Sequence, residues 1–519
     1  MNHARAAIFA ALFLPFFAFC AVAQDVTLTS RDGGIEISGN LLGFDGEFYR
    51  VDTIYGELTI DGSGVSCDGP GCPDLVDFVA EVQLSGAAAM GEVMMPALLS
   101  AFAQRNGFSL NNTRQSDVGF TFELVDVGTG KTAARFIFSA TTTDEGFADL
   151  LANQADIVLS MREIRPEERK LAREAGMGDL SAANRSRVLA LDAIVPVVAP
   201  GNPVQTIDPQ DLALAFAGKI TNWLTLGGPD APIGLHLPDL RTGLGQSVED
   251  RLLAPAELNL ADGVTFHRIS LDLAEAVATD PFALGIASYA ETGNAQVLSL
   301  KGGCGFELEA TRRNIKTEDY PLTSPMFAYL PARRLPKIGR EFLGFLRSPM
   351  AQIVIRRAGF VDQTPEEISI EEQGQRFANS IAAAGPEIRL EELQRMVTTL
   401  APMKRLTTSF RFETGSVRLD AQSRSNVQQL AQAIEQGQYD ARRLLFVGFS
   451  DGEGSADPNR DIALRRADAV RRAVSEAAEA ADLNRLTLDL DAFGEALPMA
   501  CDDSSWGRQT NRRVEVWLR

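Results

Sequence analysis

The stretch from about Phe78 to Asp362 alternates two periodicities, and that alternation limits the folds open to the chain. VAEVQLSG, RFIFSA, ADIVLSM, LDAIVPVVA and GIASYA are apolar runs of strand length. MGEVMMPALLSAFAQRNG, DPQDLALAFAG, SVEDRLL, SLDLAEAVAT and IGREFLGFLRSPMAQIVIRRAG space their apolar residues as helices do. Strands that alternate with helices pack as α/β layers around largely parallel sheets. Single cores stop growing at about 250–300 residues, so this stretch is expected to divide into two lobes.

Different patterns flank it. From Gln24 to Asp77, VTLTS, IEISGNLLGF, FYRVDTIY and GELTIDG alternate apolar and polar residues between Asp-Gly and Gly-Gly turns. That predicts a small module of β-hairpins, structural or docking in role. From Gln363 to Pro402 the composition shifts to Glu, Gln and Ala, with Pro365, Pro386 and Pro402 as breakers. This reads as a partly helical linker that gives limited reach. A third domain follows over 403–519, and no internal repeat at a fixed period is visible. The class is therefore α/β multidomain.

Residues 1–23 carry the marks of a signal peptide: Arg5, an apolar run from Ala6 to Phe19, and the small-x-small site Ala21-Val22-Ala23. Phe19 before Cys20 is bulky where lipoprotein processing needs a small residue, so simple cleavage is expected. Four further cysteines follow. Cys67 and Cys72 bracket the turn CDGPGC, which suits a short disulfide loop in an oxidising compartment. Cys304 and Cys501 are open between free thiols and an inter-domain bridge. With three histidines in the whole chain and no second Cys pair nearby, a zinc site is not supported. No metal or cofactor motif appears. The net charge of −20 argues against nucleic acid as a partner, because phosphate backbones demand a basic face.

Ser85-Gly86-Ala87-Ala88-Ala89-Met90 lies between an expected strand and a helix N-terminus. Small residues there let a backbone approach an anion, although a plain tight turn reads the same way. The stretch from Val82 to Val361 resembles the periplasmic phosphate-binding proteins of ABC transporters. LSGAAAMGEVMMPALLSAF is similar to that family's first ligand loop and helix, and ADIVLSMREI to its second ligand segment. LDAIVPVVAPGNPVQTIDPQDLALAFAGKITNWLTLGG is the most specific match, and LRTGLGQSVED falls where the family has its Ser-Gly-Thr loop. The resemblance implies a type II-like two-lobed fold closing on a small oxyanion. Its anion-binding residues would be Ser85 to Met90, Ser160, Arg162, Arg241, Thr242 and Gly243. The sequence departs from the family at Pro238, where the resemblance would place an Arg. It departs again at Met161, where an Asp often follows the Ser. Arg241 would supply the missing cation only if its loop shifts. Those departures relax selection for protonated phosphate.

Near the C-terminus, Gly448-Phe449-Ser450-Asp451-Gly452 matches the nucleophile elbow G-x-S-x-G after the strand-like LLFVG. A hydrolase would need a later histidine, and none follows His267; a Gly/Pro loop also replaces the expected helix. We therefore expect no enzyme. The ordered segments from Leu406 to Arg519 resemble the OmpA-like peptidoglycan-binding domain instead. These are SFRFETGSVRLD, LLFVGFSDGEGSADPNRDIALRRADAVRRAV, FGEALP and QTNRRVEVWL. The resemblance implies an α+β domain that binds the diaminopimelate of a wall stem peptide. Asp451 would answer the ammonium and Arg466, fifteen residues on, the carboxylate. Asn459 would brace the loop and Arg512 line the cleft. Phe449-Ser450 and Ile462-Ala463 depart from the family's His-Thr and Leu-Ser.

Together these readings describe a periplasmic, peptidoglycan-associated solute-binding protein of a Gram-negative envelope, at or near the outer membrane. Its partners would be the wall peptide, a small oxyanion such as phosphate, and an ABC permease or another envelope protein. The rival is a structural envelope protein whose lobe pair no longer binds solute.

Overall fold

The computed structural model describes residues 25–75, 78–182, 184–413 and 415–519. The expected signal peptide lies outside them. The chain divides into two compact units, one ending at Ala80 and one running from Glu81 to Arg519.

The first unit is a five-stranded antiparallel sheet built from Asp25–Ser30, Glu36–Phe44, Phe48–Thr53, Gly56–Asp61 and Val65–Asp68. Strand alternation sends Val26, Leu28, Tyr49 and Val51 to one face, where they form its core. Cys67 and Cys72 are joined by a disulfide at the end of this sheet.

In the second unit one mixed sheet passes through both lobes. Lobe one contains Ala80–Ala87 and, parallel to it, Ile157–Ser160. Thr132–Thr141, Gly119–Asp126 and Phe108–Arg114 extend it as an antiparallel meander. That meander corrects the expectation of largely parallel sheets. FSLNNTR and GFTFELVD carry polar residues on one side, and antiparallel edges tolerate a wet face. The long strand Ser186–Val198 pairs antiparallel with Thr323–Tyr329 and, further along, with Ala283–Ser288. These two chains carry the sheet into lobe two, where Gly234–Pro238 and Thr265–His267 complete it in parallel. The 13 residues of Ser186–Val198 are almost all buried, which explains their continuous apolar run.

The C-terminal sheet has the order Glu367–Ile368, Lys404–Phe410, Arg513–Leu518, Arg443–Phe449, Thr487–Gly494. Its strand Arg443–Phe449 is apolar on both faces. Leu444 and Phe446 pack with Val427, Leu430, Val470 and Val474 of the helices Ala421–Glu435 and Ala456–Ala477. Leu445, Val447, Phe449 and Trp517 pack on the opposite side with Leu393, Met396 and Leu400 of the helix Leu390–Leu400.

The expected linker over 363–402 therefore needs correction. It does form helices, Gly374–Ala382 and Leu390–Leu400, but they cover the second face of the sheet, and Glu367–Ile368 joins its edge. The reason is physical: a sheet with two apolar faces must cover both. A segment committed to that task gives no reach.

Ion pairs and a disulfide are among the contacts that fasten the lobes to the C-terminal sheet. Arg405 meets Asp319 in a buried ion pair at 2.6 Å. Arg424 pairs with Glu163 of lobe one at 3.0 Å. Cys304 of lobe two is disulfide-bonded to Cys501, which decides the alternative that the sequence leaves open. Among the described residues no helix is long and apolar enough to cross a membrane.

Candidate functional sites

Three expected anion-loop segments meet at the lobe junction. Ser85 and Gly86 lie beside Val158 and Leu159 in the parallel pairing, one step from Ser160. Gly86 has φ +129°, and a side chain there would strike the Leu159 carbonyl. From lobe two, the helix Gly243–Val248 packs against Met161. A Cβ on Gly243 would stand 2.9 Å from that of Met161, so only glycine permits this approach. The Met161 carbonyl accepts from both Ser247 Oγ and Ser324 Oγ, at 3.2 and 3.1 Å.

The polar groups expected to grip an anion are committed within the protein. Ser85 Oγ donates to Asp149 at 2.5 Å. Ser160 Oγ donates to the Arg162 carbonyl at 2.6 Å. Thr242 Oγ1 donates to the Asp239 carbonyl and accepts from Gly245 N as a helix cap. Ala87 closes its strand and Met90 is buried at the start of the helix that follows; Ala88 and Ala89 between them are half-buried.

Arg162 is buried, and all five of its N–H groups have partners. They reach Gln246, the Glu163 carbonyl, Asp144 and both oxygens of Glu168. Burial alone would lower its pKa, but Glu168 and Asp144 outweigh that and raise it. Its charge is thus already balanced by carboxylates. Arg241 does not join the cluster. Its side chain is 79% exposed and folded onto Asp239, two residues back, at 2.5–3.0 Å. The expectation that it supplies the missing cation is corrected: the nearer carboxylate captures it. Asp144, Asp149, Glu168 and Gln246 are the residues that sequence reasoning missed here.

The four residues expected to contact the wall peptide gather in one place. Asp451 follows the strand Arg443–Phe449, and Asn459 and Arg466 stand on the helix Ala456–Ala477. Asp451 pairs with Arg512 at 2.6 Å rather than with Arg466. Arg466 is 4% exposed, its guanidinium lies over Phe412, and its Nε has no hydrogen-bond partner. Burial lowers its pKa; the neighbouring Arg512 adds to this and Asp451 opposes it. One carboxylate and two guanidinium groups thus share a small volume, a combination that suits a ligand bearing both charges.

The rim adds groups the sequence did not single out. Asn459 Nδ2 donates to Glu495 at 3.0 Å. Asp502 accepts from Gly452 N at 2.8 Å and from Asn511 at 2.7 Å. Glu387, from the segment read as a linker, accepts from Ala456 N at 3.0 Å. Burial raises the carboxyls of Glu495 and Asp502, with Asp451 contributing to both. Arg513, next to Arg512, turns away and bonds Glu515 at 2.7 Å in the covered face.

Ser450, the serine of the elbow-like motif, is buried, and its Oγ has no partner. The described histidines, His236 and His267, bond each other at 2.9 Å on adjacent strands of lobe two.

Two lobes on a crossing sheet, fused to an α+β domain with a mixed-charge cluster, define a two-lobed binding protein carrying a second binding module. A PBP superfamily domain model matches residues 79–349, and an OmpA family model matches residues 411–512. The first match covers more than half of the chain, and the chain belongs to the PBP superfamily.

It is 22% identical over 229 residues to the phosphate-binding protein PstS of Borreliella burgdorferi, covering 43% of this chain and 78% of that protein. It is 28% identical over 189 residues to PstS of Bacillus subtilis, covering 35% of this chain and 60% of that protein. Among solved structures it is similar to an ABC-type phosphate transport receptor from Vibrio cholerae, with TM-score 0.41 and 19% identity over 54% of this chain and 99% of that one. It is also similar to the peptidoglycan-associated lipoprotein from Burkholderia pseudomallei, with TM-score 0.20 and 25% identity over 22% of this chain and 90% of that one.

Proposed function

We propose that this is an exported, non-enzymatic binding protein of the periplasm, held to peptidoglycan by its C-terminal domain. Asp451 receives the ammonium of a diaminopimelate side chain, and Arg466 and Arg512 receive its carboxylate. The observation that carries this is the buried Arg466 with its unpartnered Nε beside the Asp451–Arg512 pair. Each charge-assisted contact contributes about 1.5–3 kcal/mol. Peptidoglycan pull-down tests it. Wild-type protein is expected in the pellet, and Asp451→Ala with Arg466→Ala in the supernatant. Equal pelleting of both would refute the assignment.

The lobe pair is assigned a small oxyanion, with phosphate as the first candidate, on the strength of the PBP superfamily match and the similarity to phosphate-binding proteins. With no flexible linker, the lobes sit at a fixed distance from the wall site, which favours sensing over delivery to a permease. A second reading is favoured by one observation: Arg162 is fully neutralised by Asp144, Glu168 and neighbouring acceptors. On that reading the lobes contact another envelope protein and bind no solute. Calorimetric titration of the full chain with phosphate and sulfate separates the two. Saturable heat supports the solute site, and none supports the structural role.

A further inference from the structure

A cleft between the lobes and the C-terminal domain encloses about 1030 Å³ of empty space, its open mouth included. Arg187 on the long strand Ser186–Val198 and Arg347 after the helix Lys337–Phe345 both line it. Neither has an ion-pair partner among the described residues, and the buried Nε of Arg187 and Oγ of Ser186 have no hydrogen-bond partner. Among the described residues no Asp or Glu lines the cleft, in a chain that carries 69 of them. Burial lowers Arg187 to about 10, and Arg347 and Arg185 push it the same way. Burial lowers Arg347 as well. Two like charges are therefore held together with nothing to balance them.

The opposite wall is a row of amides. Gln428, Gln429 and Gln432 share one face of the helix Ala421–Glu435, and Gln436 continues it just beyond the helix end. Gln352 and Gln363 close the ring, and Gln429 Nε2 donates to Gln363 Oε1 at 2.7 Å. Leu189, Leu343 and Leu346 supply an apolar floor. Amide side chains offer a donor and an acceptor each, which is what a peptide group presents. Gln352 and Gln363 already bond within the protein, but an inorganic anion would answer the arginines and leave Gln428, Gln432 and the leucines unused.

We propose that this cleft binds a short peptide by its free C-terminal carboxylate, gripped by Arg187 and Arg347, with its backbone along the glutamine row. The site lies apart from Arg162 and from Asp451, so it stands independently of both proposed functions.

Calorimetry on the full chain tests it with three probes: trialanine, trialaninamide and inorganic phosphate. Trialanine is expected to bind, and the amide at least tenfold more weakly. Arg187→Gln and Arg347→Gln are each expected to lower trialanine affinity at least tenfold. Arg187→Gln removes an unbalanced half-buried charge, so its melting temperature is expected to hold or rise. If that variant fails to fold, Arg347→Gln, at the more exposed of the two positions, decides the matter. Asp451→Ala is expected to keep trialanine binding, which distinguishes this cleft from the wall site. Absence of trialanine binding, equal binding of acid and amide, or indifference to the arginine substitutions would overturn the proposal. So would an Arg187-dependent phosphate signal without a trialanine one.

Discussion

Asp319 accepts two hydrogen bonds from the guanidinium of Arg405, at 2.6 and 3.0 Å, across the junction between the lobes and the C-terminal sheet. Both side chains are at most 3% exposed. Behind them Glu515 takes Arg376 at 2.6 Å, Arg513 at 2.7 Å and Trp517 Nε1 at 3.0 Å. Arg411 adds a fourth guanidinium at 3.5 Å from Asp319. Two carboxylates thus face four arginines in a largely buried site. Burial raises both acids, but the arginines win and hold Asp319 and Glu515 below the usual range.

Removing one partner of a buried pair leaves the other charge uncompensated, at a cost of about 3–5 kcal/mol. Asp319→Ala is expected to lower stability by that order in urea unfolding at pH 7. The folded-state value of Asp319 is depressed, so its contribution is complete above about 3.8 and is lost as pH falls further. The wild-type and variant curves should therefore converge in acid. A variant as stable as wild type at pH 7 would show that the pair carries no net stabilisation.

The two disulfides close loops of very different length, with partners 197 and 5 residues apart. A chain-entropy estimate gives about 5 kcal/mol for the long loop and about 2 kcal/mol for the short one. Cys304→Ser with Cys501→Ser is expected to cost more than Cys67→Ser with Cys72→Ser in calorimetric melts of full-length protein. Asp502, which braces Gly452 beside Asp451, is next to Cys501. Loss of the long bridge should therefore also weaken peptidoglycan binding, and loss of the short one should not. Equal effects of the two pairs on pull-down would contradict this coupling.

Much of this architecture is legible in local pattern. The strand runs and helical periods of 78–362 are visible because burial on both sides leaves continuous apolar runs such as LDAIVPVV. Asp451, Asn459 and Arg466 can be picked out because one loop and one helix carry them. What the sequence hides is long-range pairing. Asp319 reads as an ordinary turn acid after Lys316, and Glu515 as a polar interruption of the last strand. Nothing local announces that they meet Arg405 and Arg376. The segment 363–402 was misread for a related reason. Its Glu and Gln faces dominate the composition, while the stripe of Leu393, Met396 and Leu400 acquires meaning only beside Leu445 and Trp517. Arg162 was legible as a cation in the cleft, but Asp144 and Glu168, which neutralise it, belong to separate helices.

Glu318 lines a polar cavity at the same junction, with Arg251, Arg411 and Asp420 around it. Its φ of +56° is the left-handed region, and its Oε1 has no partner. Burial, with Asp420 adding to it, raises its carboxyl from 4.5 to about 8. Between those values the folded protein holds a proton that the unfolded chain releases, so stability falls as pH rises through the window. Glu318→Gln cannot ionise. Its unfolding free energy is expected to exceed that of wild type by up to about 5 kcal/mol at pH 9 and to match it near pH 4. Parallel pH profiles for the two proteins would rule out a raised carboxyl at this position.

Arg162 offers the sharpest test of the lobe cleft. Its two carboxylate partners differ in setting: Glu168 is 18% exposed and Asp144 is 51% exposed. Glu168 is therefore the stronger competitor for any incoming anion, since desolvated pairs are screened less. Glu168→Gln keeps the shape and an acceptor oxygen, so the hydrogen bond from Arg165 N can persist. It removes one negative charge within 2.7 Å of the guanidinium. If the lobes bind an oxyanion at Arg162, the substitution should tighten phosphate binding by about fivefold, or ~1 kcal/mol. The gain should shrink as salt is raised from 50 to 500 mM, and the affinity should fall on further replacement with Arg162→Gln; the salt concentrations are about one order of magnitude apart, enough to change the screening length threefold. If phosphate binds wild type and Glu168→Gln equally, the anion sits elsewhere in the cleft. If it binds neither, the carboxylates around Arg162 are structural, and the lobes serve as a scaffold.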